Sequence, residues 1–212
     1  MRKAQVDANS QFHGLRAVTL ENYFLRVIVL PEVGARIQQL VYKPLDIGLV
    51  WSHPRIKPAR LPFGAEYDNA WCGGWDELFP NNIPESIAGE AYPDHGELWA
   101  AEWHSSVGEN DAEAFAKFSS RTPISDVGIE KTFSLRPGDS RLHASYFLRN
   151  CSQSTLPILW NLHIALAVSE HHELAYPPME LRLEPSFLGT LEGAPLDFTW
   201  PAVPTQRGSV DL

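Results

Sequence analysis

The sequence holds only two cysteines, Cys72 and Cys151, too few for a zinc cluster or a disulfide framework, and both read as free structural thiols. It has no basic excess. Lys and Arg number 17 against 26 Asp and Glu, a net charge of −9, so nucleic acid is not an expected partner. No apolar run is long enough to cross a bilayer, and residues 1–10 are polar and mixed in charge, unlike a secretory leader. A cytoplasmic protein without a membrane partner is therefore expected. There is no Gly-x-Ser-x-Gly elbow, phosphate loop or dinucleotide fingerprint, which excludes serine-hydrolase, nucleotidyl and nicotinamide chemistry, and no cofactor is expected. Long helices are missing too, because 17 prolines and 14 glycines are spread through the chain and interrupt any sustained helical period.

What is present is alternation. The 212 residues are 44% hydrophobic and 20% charged, enough for a substantial globular core. Period-two patterns predict strands over 23–30, 35–42, 96–103, 112–119, 127–136, 141–149, 157–169 and 179–184. The run Arg136-Pro137-Gly138-Asp139-Ser140 reads as a hairpin turn between two of them. Residues 43–94 form a long excursion broken by seven prolines, yet rich in Trp and Tyr, so it is expected to pack over a sheet face. The economical reading is an all-β protein, with an N-terminal segment and first strand in 1–20 and a single domain over 21–212. Periodicity does not separate sandwich from barrel.

Three places could carry chemistry. Along 157–169 the alternation groups Ile158, Trp160, Leu162, Ile164, Leu166 and Val168 on a face expected to be core. It sets Leu159, Asn161, His163, Ala165 and Ala167 on the other, where small alanines leave room for a ligand beside an amide and an imidazole. The competing reading of His163 is a core histidine satisfied by one carbonyl. His95 stands beside Gly96 at the mouth of a predicted strand, and the bland reading there is a loop histidine. The segment 72–82 places Trp75, Asp76, Glu77 and Asn81 after two glycines, parts from which carbohydrate sites are built, although a surface turn anchored by its rings would use the same residues. His163, His171, His172 and Glu173 lie close in sequence but not at metal-ligand spacing on one face, so no metal site is expected.

Taken in order, Leu30-Pro-Glu-Val-Gly-Ala-Arg-Ile-Gln-Gln-Leu40, Gly73-Gly-Trp-Asp-Glu-Leu-Phe-Pro80, His95-Gly-Glu-Leu-Trp-Ala-Ala-Glu-Trp103 and Trp160-Asn-Leu-His163 resemble the galactose mutarotase-like (aldose 1-epimerase) superfamily. The resemblance implies a β-supersandwich that binds a monosaccharide, or a sugar unit of a saccharide, on a concave sheet face. By it His163 is the acid and His95 a partner of the sugar oxygens, while Asp76, Glu77, Asn81, Trp75, Trp99 and Asn161 are the residues expected to bind the substrate. Imidazole titrates near neutrality, which suits the two proton transfers that open and reclose a cyclic hemiacetal. Sugar-phosphate members of the superfamily carry arginines where this chain has Cys72 and Trp99, so a neutral sugar is expected.

The family's catalytic glutamate, which lies late in its domain, has no match here. Glu173, Glu180 and Glu184 are substitutes by charge alone. The resemblance thus implies absent C-terminal strands, weak turnover and a homo-oligomer formed through an exposed sheet edge. The alternatives are a non-catalytic carbohydrate-binding module stacking sugars on Trp75, Trp99 and Trp103, and a structural interaction domain whose tryptophans are all core.

Overall fold

The structure, a computed structural model, describes residues 3–173, 175–183, 194–205 and 208–211. The chain divides into two compact units, Met1–Ala167 and Val168–Leu212. No helix among the described residues is long and apolar enough to cross a membrane.

The first unit opens with a hairpin. Strands β1 (Gln5–Phe12) and β2 (Leu15–Glu21) pair antiparallel with Phe12 opposite Leu15, around a two-residue turn in which His13 and Gly14 take positive φ of 50° and 82°. Residues 1–20, set apart with one strand in the sequence reading, thus supply β1 and nearly all of β2. Asn22 turns the chain into β3 (Leu25–Leu30) by accepting the amide protons of Phe24 and Leu25 at 2.9 and 2.7 Å. β4 (Arg36–Tyr42) and the short β5 (Ile47–Gly48) follow.

The excursion is more ordered than its prolines predict. It holds a single helical turn, α1 (Tyr67–Ala70), the strand β6 (Trp75–Leu78) and a small hairpin of β7 (Glu85–Ile87) and β8 (Glu90–Tyr92). Then come β9 (His104–Glu109), β10 (Ala114–Arg121), β11 (Val127–Leu135), β12 (His143–Asn150) and β13 (Asn161–Ile164). β9 carries no apolar alternation and was not foreseen. Its pairing with β10, not its own pattern, makes it a strand.

Two antiparallel sheets result. One runs β1-β2-β3-β4-β6-β13 with β5 beside β4; the other runs β12-β11-β10-β9. Val27, Val29 and Ile37 of the first meet Ala116, Phe118, Ile129 and Phe133 of the second in one buried core, so the architecture is a sandwich.

Two predicted strands need correction. Residues 96–103 form no strand, because His95 and Gly96 take positive φ of 60° and 75° and the pairing with Phe79 is an isolated bridge at Gly96 that no ladder continues. Buried Glu97 instead accepts the amides of Ile124 and Ser125 and fixes this stretch as a loop. Along 157–169 the expected core face is open: Ile158, Leu162, Ile164, Leu166 and Val168 are exposed and only Trp160 packs against the core. β13 ends its sheet, at the margin of the sandwich, and the exposure of these side chains shows that no described layer covers this face beyond Trp160.

In the second unit β14 (Glu180–Arg182) pairs with β15 (Asp197–Thr199), and β16 (Ala202–Thr205) pairs with β17 (Gly208–Asp211). Phe198 and Val203 are its buried apolar residues among those described.

Candidate functional site

β6 and β13 run antiparallel with His163 opposite Asp76 and Leu162 opposite Glu77. Directly opposed residues share a sheet face, so His163, Asn161, Asp76 and Leu78 lie on one face and Glu77 and Trp75 on the other. The turn α1 lays Tyr67 over the first face. Its hydroxyl is 2.8 Å from His163 Nδ1 and 3.4 Å from Asp76 Oδ2, while Asp76 Oδ1 is 3.4 Å from the same Nδ1. Burial, then the neighbouring Asp76 charge, pushes the Tyr67 hydroxyl well above its ordinary pKa, so it stays a protonated donor.

Asp76 is wholly buried and held from behind by Arg36, whose Nη2 donates to Oδ2 at 2.7 Å. The Nη1 of Arg36 donates to Cys72 Sγ at 3.0 Å and to the Gly73 carbonyl at 3.2 Å. Burial works against the Arg36 charge, but Asp76, Cys72 and Tyr67 together outweigh it and the guanidinium stays ionised.

His95 reaches the same place from the other side. Its ring lies flat on Tyr67, with centroids 3.5 Å apart and planes at 1°, and 6.3 Å from the ring of His163. Trp71 is 5.3 Å from the His163 ring, and Trp99 meets Tyr67 edge-on at 4.9 Å. The backbone around His95 is exacting: a Cβ on Gly96 would stand 2.1 Å from the Phe79 carbonyl oxygen. Asn81 secures this loop by donating to the carbonyls of Ile83 and Pro93 at 2.7 and 2.8 Å. Asp94 Oδ1 is 2.9 Å from His95 Nδ1 but out of line for a hydrogen bond, which leaves that nitrogen unpaired.

The structure therefore brings His163, His95 and Asp76 together, with half-buried Asn161 on the same face. It turns four of the expected substrate-binding residues toward other partners. Glu77 is sealed between the sheets, where it pairs with Lys131 and accepts the Tyr146 hydroxyl at 2.8 Å. Trp75 points the same way and packs on Phe133. Trp99 is buried beneath Tyr67, and Asn81 is committed to its loop. Asp76, at 0% exposure, lies behind His163, with Oδ1 3.4 Å from its Nδ1. Glu173 and Glu180 belong to the second unit, and Glu184 lies outside the described residues. Among the described residues no group of three or more metal-ligating side chains is gathered.

Tyr67, Arg36 and Trp71 escaped the sequence reading. A signal for Arg36 existed in its spacing from Gln38, which places both on one face of β4. Tyr67 and Trp71 lie in the proline-rich excursion, where no periodicity marks direction.

No protein-family model matches the sequence. Among solved structures the chain is similar to the Slr1438 protein of Synechocystis sp. PCC 6803, at 16% identity and a TM-score of 0.52, covering 77% of this chain and 57% of that one. It is also similar to a galactose mutarotase-like protein from Lactobacillus casei ATCC 334, at 20% identity and a TM-score of 0.50, covering 72% of this chain and 50% of that one. The fold is a galactose mutarotase-like β-sandwich. At these identities the likeness is one of fold, and the chain spans between 50% and 57% of the length of these structures.

Proposed function

We propose that the His163 face binds a neutral sugar and interconverts its anomers by acid–base ring opening. The observation that carries this reading is a one-third exposed imidazole, His163, backed by a buried Asp76–Arg36 pair, with a second imidazole 6.3 Å away. Protonated His163 delivers its proton to the ring oxygen while the anomeric hydroxyl gives its own proton to solvent water, the bond from the ring oxygen to the anomeric carbon breaks, and the open aldehyde turns about its first carbon–carbon bond. Reclosure returns the proton. His95 holds a sugar oxygen beside it. Arg36 is buried and committed to Asp76, which supports a neutral ligand over a phosphorylated one. Stacking on Trp75, Trp99 and Trp103 is not favoured, since Trp99 and Trp103 are buried and Trp75 packs into the core.

One positioned acid is worth about 10²–10⁴-fold, so modest turnover is expected. Polarimetry of freshly dissolved free aldoses should show mutarotation faster than buffer alone, and His163→Gln should remove at least about 10²-fold of that acceleration. No acceleration with any aldose, together with no sugar-dependent change in the histidine NMR signals, would sink the reading.

A further inference from the structure

We infer that Asp76, fixed by Arg36 and shared with Tyr67, is a positioning residue that holds neutral His163 as its Nδ1–H tautomer and leaves Nε2 as the atom that exchanges protons. The argument is a count of protons around three atoms. Among the described residues the hydrogen-bond contacts of the His163 ring are all at Nδ1, with the Tyr67 hydroxyl at 2.8 Å and Asp76 Oδ1 at 3.4 Å. An ionised carboxylate only accepts, and a tyrosine hydroxyl has one proton to give.

If Nε2 carried the proton, the Tyr67 proton would turn to the bare Nδ1. The Nδ1 lone pair would then face Asp76 Oδ1, and the Tyr67 oxygen lone pairs would face Asp76 Oδ2 at 3.4 Å. Both contacts are repulsive in a site where Asp76 has no access to water. With the proton on Nδ1, the ring donates to Tyr67 and toward Oδ1 while Tyr67 donates to Oδ2. Every electronegative pair then has a hydrogen between its members.

Arg36 makes the arrangement directional. Its Nη2 donates to Oδ2 at 2.7 Å and tolerates only an acceptor there. In Asp76→Asn the amide oxygen must therefore keep the Oδ2 position, which puts the amide NH₂ against His163 Nδ1. That NH₂ donates, Nδ1 becomes the acceptor, and the proton moves to Nε2. A neutral ring so arranged cannot accept a proton where a ligand would offer one. The catalytic weight of this switch rests on the sugar chemistry proposed above; the tautomer itself does not.

The test is long-range proton–nitrogen NMR of histidine-labelled protein above the imidazole titration range, with the His163 signals assigned by their loss in His163→Gln. The wild type should show a protonated Nδ1 and a bare Nε2. Asp76→Asn should reverse the two, and Tyr67→Phe should leave them as in the wild type, because Nδ1–H then points at Asp76 alone. If Asp76→Asn does not fold, the wild-type and Tyr67→Phe spectra still decide. A wild-type ring protonated at Nε2, an unreversed Asp76→Asn or a reversed Tyr67→Phe overturns the assignment. Where mutarotation is present, Asp76→Asn should lower kcat by about 10²-fold or more with KM little changed. Absence of mutarotation with the expected tautomers overturns the sugar reading alone; the wrong tautomers with mutarotation intact overturn this one alone.

Discussion

Asp76 and Glu77 are neighbours on one strand, and each is a buried carboxylate joined to one cation and near one tyrosine hydroxyl. Asp76 has Arg36 and Tyr67; Glu77 has Lys131 and Tyr146. They differ in what lies beyond. Strand alternation turns Asp76 toward an imidazole that is one-third exposed, and turns Glu77 into the space between the sheets, where Lys131 also donates to the Gly34 carbonyl at 3.0 Å and sits 4.6 Å over the Trp103 ring. The same chemistry thus orients an imidazole on one side of the sheet and ties two layers together on the other. Burial lowers the pKa of Lys131, and Glu77 pulls it part of the way back. Removing either partner would leave the other as an unpaired charge in the core.

The largest expected effect breaks the interior half. Lys131→Met should cost about 3–5 kcal/mol in urea denaturation, with most of it restored when Glu77→Leu is added, because the apolar pair leaves no charge stranded. The tautomer of His163 should not change in the double variant if the two carboxylates are independent. Gly96→Ala probes the site half and should cost about 2–3 kcal/mol, from a positive φ combined with a collision against backbone. An unshifted melting temperature would mean that the loop carrying His95 is not held as tightly as its geometry requires.

Glu32 sharpens the comparison with the smallest effect. It is buried like the other two, but its cations, Arg16 and Arg60, are exposed. Burial alone would raise its pKa; hydrogen bonds from Arg60 and Arg16 outweigh that and lower it from 4.5 to about 2. Its contribution to stability is thus complete above its unfolded value and is lost as pH falls through the window from 4.5 to about 2. Glu32→Gln should therefore be less stable than the wild type at neutral pH, and the gap in urea midpoint should close across that window. A gap unchanged down to pH 2 would assign the loss to shape and not to charge.

Many of the strands are legible in alternation. Val127, Ile129, Phe133 and Leu135 mark the buried face of β11, and Lys131 falls on that same face, a cation among apolar residues that calls for a buried acid. Its partner is hidden, because β6 is only four residues long and lies among prolines, so nothing local tells which way Glu77 points. His163 was grouped correctly with Asn161, since β13 obeys its period. The opposite face of that segment misled, because apolar alternation reports what a strand could bury and not whether another layer covers it. His95 was legible as a motif, but its stack on Tyr67 depends on a loop conformation that no spacing encodes.

That stack also gives the molecule a built-in magnetic label. A phenol ring lying parallel to an imidazole at 3.5 Å places the nuclei of His95 in the shielding region above its circulating electrons. Of the eight histidines in the chain, His95 therefore carries ring protons displaced upfield by a known neighbour. A ligand that slides between the rings, or swings His95 off its partner, cancels the displacement, so occupancy of this face can be read at equilibrium from a single resonance.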